Sequence, residues 1–153
     1  MEIERKFLVN KIPENIDSYE PVDIVQGYIF FDPALRLRKQ GDTYIITMKS
    51  SGGLVRQEYE MEISEHEFNR MWEKVEGHII DKTRYKIPLE NSLVCDLDVF
   101  HKNFDKLVTA EVEFESVKAS AKFIPPCWFG REVTGNKSYA NSAMAETGRI
   151  PEL

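Results

Sequence analysis

Glu2, Glu4 and Lys6 alternate with Ile3 and Phe7 at the start of the chain. Along a strand, successive side chains point to opposite faces, so two carboxylates and an ammonium share one face while Ile3, Phe7 and Val9 share the other. At ~3.3 Å per residue the charged face spans about 13 Å. Carboxylates at that spacing suit a hard divalent ion, which prefers oxygen ligands, and an ammonium beside them suits a bound anion. One such strand is usually just a wet face. Its weight here comes from recurrence along the chain.

Sorted by parity, Gln26 and Tyr28 stand with Arg36 and Arg38, followed by Lys49 and then Arg56, Glu58, Glu60 and Glu62. Lys82, Arg84 and Lys86 follow, then Asp96 and Asp98, then Glu111, Glu113 and Glu115. The opposite faces read Leu35/Leu37, Tyr44/Ile46/Met48, Tyr59/Met61/Ile63, Tyr85/Ile87, Leu93/Cys95/Leu97/Val99 and Val108/Ala110/Val112/Phe114, which are core faces.

The elements that must carry these residues are mostly strands. Turn signals at Asp32-Pro33, Gly41-Asp42 and Ser50-Ser51-Gly52-Gly53 separate Val22–Phe31, Ala34–Gln40, Thr43–Lys49 and Leu54–Ile63, the spacing of antiparallel hairpins. Ser64 with Glu67 makes a capping box. Phe68, Met71, Trp72 and Val75 follow at helical spacing, with Gly77 placed as the C-cap. Strands resume at Ile79–Leu89, Leu93–Phe100 and Lys106–Glu115, and short helices are expected at Ser116–Phe123 and Ser138–Glu146, the first ended by Pro125-Pro126. About eight antiparallel strands with a few flanking helices suffice to close a barrel, giving a mainly β (α+β) single domain over residues 1–153.

Composition narrows the function. The net charge of −6 argues against nucleic-acid binding, which wants a basic footprint. No run approaches the ~18 apolar residues of a membrane span, and the charged N-terminus is unlike a signal peptide. Cys95 and Cys127 have no metal-site spacing and read as reduced thiols of a cytoplasmic protein.

The charged face is either the wet side of an open sheet or the lining of a closed one. A solvated face usually intersperses opposite charges. Here like charges cluster, at Arg36/Arg38, Lys82/Arg84/Lys86, Asp96/Asp98 and Glu111/Glu113. Like charges side by side are costly unless an opposite charge lies between them. Cationic clusters suit a phosphate chain and carboxylate clusters suit Mg²⁺ or Mn²⁺, so the pattern favours a water-filled lumen for a metal-bound oligophosphate. The outward apolar wall then needs helices as cover and leaves room for a homodimer.

In order along the chain, EIERKF (Glu2–Phe7), QGY (Gln26–Tyr28), RLR (Arg36–Arg38), Thr47–Lys49, R-x-E-x-E (Arg56–Glu60), K-x-R-Y (Lys82–Tyr85), the Asp98 strand, AEVEF (Ala110–Phe114) and EVT (Glu132–Thr134) with Tyr139 and Asn141 resemble the CYTH superfamily, the triphosphate tunnel metalloenzymes. The resemblance implies an antiparallel tunnel that binds a small-molecule triphosphate with divalent metals. By similarity Lys6, Arg36, Arg38, Lys49, Arg56, Lys82 and Arg84 would hold the triphosphate. Glu2, Glu4 and Glu113 would hold one metal, and Glu60, Asp98 and Glu111 a second.

The short chain leans toward the family's small hydrolases, hence toward hydrolysis of inorganic triphosphate to pyrophosphate and phosphate. Glu60 or Asp98 would take the proton of the attacking water, Lys82 would hold the scissile end and Tyr28 would orient a terminal phosphate. Three rivals stay open: a class IV-type adenylyl cyclase, a thiamine triphosphatase with Trp128 as aromatic seat, and an oligophosphate-binding module without turnover. Trp128 otherwise simply packs the C-terminal segment. The last helix is either a plug at one tunnel end or an amphipathic surface helix.

Overall fold

The structure, a computed structural model, describes residues 2–50 and 54–151. Its strands are β1 (Glu2–Val9), β2 (Pro21–Phe31), β3 (Ala34–Gln40), β4 (Thr43–Lys49), β5 (Val55–Arg56), β6 (Glu58–Ile63), β7 (Glu76–Pro88), β8 (Val94–Phe100), β9 (Val108–Glu113) and β10 (Phe129–Glu132). Three helices accompany them: α1 (Glu65–Trp72), α2 (Val117–Lys122) and α3 (Asn141–Thr147). The sheet runs β10-β1-β9-β8-β7-β2-β3-β4-β6, and β5 returns to β1 through Glu2↔Arg56 and Ile3↔Val55. That two-residue seam brings the sheet's ends together into a nearly closed antiparallel barrel.

The strand expected over 54–63 is divided at Gln57, whose carbonyl accepts from the Ser50 amide while its own amide donates to Ser50 Oγ. The break lets the chain leave β4 and cross to β1. Of the turn expected at 50–53, residues 51–53 lie outside the described residues. A further strand, β10, pairs β1 beyond the seam. Among the described residues the ladder therefore counts ten strands rather than about eight.

Helix α1 begins with the expected capping box between Ser64 and Glu67. Its Phe68 is buried against Leu37 and Ile63, with the Tyr44 and Trp72 rings 4.9 and 5.0 Å away. Gly77 does not cap it. The helix ends at Trp72, one further turn closes with the Val75 amide on the Trp72 carbonyl, and Gly77 already lies in β7. There it adopts φ +72°, and a Cβ would stand 2.5 Å from the Ala145 carbonyl oxygen, so close docking of α3 requires glycine.

The core lies partly outside the barrel wall and partly inside it, at the lumen end that α3 covers. Ile3, Phe7, Cys95, Leu97, Ala110 and Val112 form one cluster, with Ala119 and Phe123 packed onto it from α2 and its end. Tyr28, Ile80, Phe100, Tyr139 and Met144 form another under α3. Each fully buried large apolar side chain contributes roughly 1.5–3 kcal/mol. Beyond α1 the outer faces of β4 and β6 are uncovered: Met48, Tyr59 and Met61 are 47%, 69% and 61% exposed.

Candidate active site

Register carries the parity argument around the barrel. Lys6 pairs with Glu111, Asp96 with Glu111, Arg84 with Asp98, Gln26 with Arg38 and Tyr28 with Arg36, so these side chains share the inner face. They enclose a cavity of about 360 Å³. Eight cations line it: Lys6, Arg36, Arg38, Lys49, Arg56, Lys82, Arg84 and Lys86. Seven carboxylates do so: Glu2, Glu4, Glu58, Glu60, Asp96, Glu111 and Glu113. Tyr28 joins them, whereas Glu62 and Glu115 do not.

Most of these charges neutralise one another. Arg56 Nη2 contacts both Glu2 Oε1 and Glu4 Oε1, and Lys49 Nζ lies 3.3 Å from Glu2 Oε1. Lys6 Nζ lies 3.3 Å from Glu111 Oε1. Arg36 and Arg38 are different. Both are buried, and among the described residues neither forms an ion pair. Arg36 donates to Thr47 Oγ1 at 3.3 Å and its Nε has no partner, while Arg38 donates to the amide oxygens of Gln26 and Gln40. Burial, then the neighbouring Arg36 and Arg84, depress the Arg38 pKa. Two adjacent guanidiniums lacking a counter-charge make an anion site.

Asp98 is on the inner face by register but is not among the residues that line the cavity. It is 1% exposed, with Lys82 Nζ 2.7 Å from Oδ2 and Arg84 bound in a fork at 2.8 and 3.0 Å. Both of its oxygens contact these two cations. Against the opposing effect of burial, Lys82 and Arg84 hold its pKa down at about 2. Lys82, also 1% exposed, is pushed down to about 7 by burial, with Arg84 and Arg38 adding repulsion.

The carboxylates fit a divalent ion by chemistry. Burial, then Glu111 and Glu2, push Glu4 up to about 9, a crowding that a cation would relieve. Burial and Glu2 likewise raise Glu113. Among the described residues no group of three or more acidic, His or Cys side chains is arranged to hold a metal ion; Arg56, Lys49 and Lys6 contact the carboxylates instead.

The C-terminal segment enters the site. Ala140, Asn141 and Ser142 line the cavity, Lys82 Nζ donates to Asn141 Oδ1 at 2.9 Å, and Lys6 Nζ donates to the Tyr139 carbonyl at 3.0 Å. No periodicity in the sequence could have assigned these contacts, because they follow from where the segment docks. Trp128 packs on Phe129 at 4.6 Å and lines no part of the cavity, in keeping with its packing role.

An antiparallel β-tunnel whose wall presents unpaired guanidiniums beside crowded carboxylates is a container for a polyanion and its metals. The CYTH domain model matches residues 1–122, and the chain belongs to that family. It is 46% identical over 147 residues to the inorganic triphosphatase of Nitrosomonas europaea, covering 94% of this chain and 96% of the relative. It is 39% identical over 153 residues to the inorganic triphosphatase of Acetivibrio thermocellus, covering 95% and 93%. A crystal structure of the inorganic triphosphatase NE1496 superposes with TM-score 0.71 at 42% identity, covering 99% of this chain and 97% of that one.

Proposed function

We propose that the chain hydrolyses inorganic triphosphate to pyrophosphate and phosphate in its tunnel, with Mg²⁺ or Mn²⁺. The observation that carries this reading is the buried pair Arg36 and Arg38, which lacks a carboxylate partner and leaves Arg36 Nε unpaired. The names of the relatives at 46% and 39% identity support it.

Lys6, Arg36, Arg38, Lys49, Arg56, Lys82 and Arg84 hold the phosphate chain, offsetting charge spread over the phosphoryl oxygens, where such reactions gain most of their rate. The Tyr28 hydroxyl accepts from Gln26 Nε2 at 3.1 Å and keeps its own proton for a phosphate oxygen. Glu2, Glu4, Glu111 and Glu113 would hold a divalent ion, with Glu60 nearer solvent. When bound, the metal supplies charge neutralisation and a more acidic water. Glu60, exposed on the lining, takes the water's proton.

The free thiols Cys95 and Cys127 suit the reducing cytoplasm, and among the described residues no helix is long and apolar enough to cross a membrane. The uncovered strip of Met48, Tyr59 and Met61 would seat a second copy in a homodimer, which sedimentation would reveal.

Phosphate release from triphosphate, ATP and thiamine triphosphate, with Mg²⁺ or Mn²⁺, tests the reading. Fast release from triphosphate alone, lost in Glu4→Ala, supports it. Cyclic AMP and pyrophosphate from ATP would replace it with a cyclase, and tight binding without turnover would replace it with a binding module.

A further inference from the structure

We propose that Asn141 is a positioning residue that aims the Lys82 ammonium into the cavity. The inference rests on the triphosphatase reading for its kinetic consequence but not for its geometry. Lys82 Nζ is 2.7 Å from Asp98 Oδ2 and 2.9 Å from Asn141 Oδ1. An ammonium has three donors in fixed tetrahedral directions. With two of them taken by these acceptors, the third is confined to one direction, and Lys82 lines the cavity. The same Asn141 oxygen accepts from Gln26 Nε2 at 3.1 Å, and Gln26 Oε1 accepts from Arg38 Nε at 2.9 Å. One amide thus orients a lysine directly and an arginine at one remove, on the two strands that flank β2.

Asn141 lies beyond residue 122, where the family match ends, on a segment held by its own contacts. Arg131 Nη2 donates to the Tyr139 hydroxyl at 3.2 Å, and Met144 is buried in the cluster under α3. Donors fixed before the substrate arrives need no reorganisation as charge develops on it, so loss of the amide acceptor falls on kcat more than on KM. A merely structural Asn141 would act only through the seating of α3.

Three variants separate these roles: Asn141→Leu, which keeps bulk and removes the acceptor; Asn141→Asp, which keeps the acceptor; and Met144→Ala, which loosens α3 without touching Lys82. They are compared by kcat and KM for triphosphate, by Tm, and by the ¹H–¹⁵N resonance of the Lys82 ammonium at about pH 6, where Lys82 carries its proton. Asn141→Leu lowers kcat by about tenfold or more with KM little changed, and broadens the ammonium signal beyond detection. Asn141→Asp keeps the signal and most of kcat while KM rises, since it adds a negative charge. Met144→Ala lowers Tm but leaves the signal and kcat in place.

An Asn141→Leu protein with wild-type kcat and an intact ammonium signal overturns the proposal. So does a loss of activity that merely tracks Tm in both Asn141→Leu and Met144→Ala. If the wild-type protein releases no phosphate at all, the triphosphatase reading fails and the ammonium signal alone decides: its loss in Asn141→Leu upholds the positioning role, and its persistence removes it.

Discussion

Arg56 Nη2 lies across the barrel seam from β1, in contact with Glu4 and 3.1 Å from Glu2 Oε1, so the residue that closes the tunnel also occupies the carboxylates suited to a metal. A divalent ion on Glu2 and Glu4 would release Arg56 and Lys49 toward phosphate. Metal and triphosphate should then bind with positive coupling of ~5–150-fold, and linkage makes that factor the same in both directions. Calorimetric titrations, corrected for metal–triphosphate complexes in solution, should show it. Equal affinities with and without the partner ligand would refute the exchange.

Arg36 offers a trade between stability and binding. Its buried, unpaired guanidinium destabilises the empty protein, so Arg36→Met should raise Tm. The same change removes charge-assisted bonds worth ~1.5–3 kcal/mol, which is a roughly 10- to 150-fold loss of triphosphate affinity. Lower Tm with unchanged affinity would contradict both halves.

Asp98 should govern acid stability. Its pKa falls from 3.8 unfolded to about 2 folded, so it contributes about 2 kcal/mol that is present above 3.8 and lost as pH falls through about 2. Asp98→Asn leaves Lys82 and Arg84 buried with an uncompensated charge, at a loss of ~3–5 kcal/mol in denaturant melts at neutral pH. A melt that matches wild type would show that the fork contributes nothing.

Glu4 should give metal binding its pH dependence. Its pKa rises from 4.5 unfolded to about 9 folded, so its stabilising contribution to the metal-free protein is complete below 4.5 and is lost as pH rises through about 9. A metal must displace that proton below about 9. Mg²⁺ affinity should therefore climb by about tenfold per pH unit across neutral pH, with a proton released per ion. A flat profile, or one unchanged in Glu4→Gln, would count against Glu4 as a ligand.

The inner face was legible because strand parity is insensitive to exact ends: Lys82, Arg84 and Lys86 stay together wherever β7 begins. Gly77 was misplaced because a glycine after a helical run signals a C-cap as readily as a strand residue with φ above zero, and only the approach of Ala145 distinguishes them. Asp98 had the right parity for the inner face, while its contacts with Lys82 and Arg84 depend on side-chain reach between strands, which parity does not encode. Asn141 was visible only as part of a motif, since its contacts depend on how α3 docks on β2 and β7.

Because the clusters around Phe7 and Phe68 lie outside the wall, the charged residues facing the lumen beyond the end that α3 covers have little packing duty. In most proteins a change of inner residue must be absorbed by a jigsaw of neighbours. Here the architecture separates durability from chemistry, so the lumen can be rewritten for another anion while the scaffold that holds it is left as it stands.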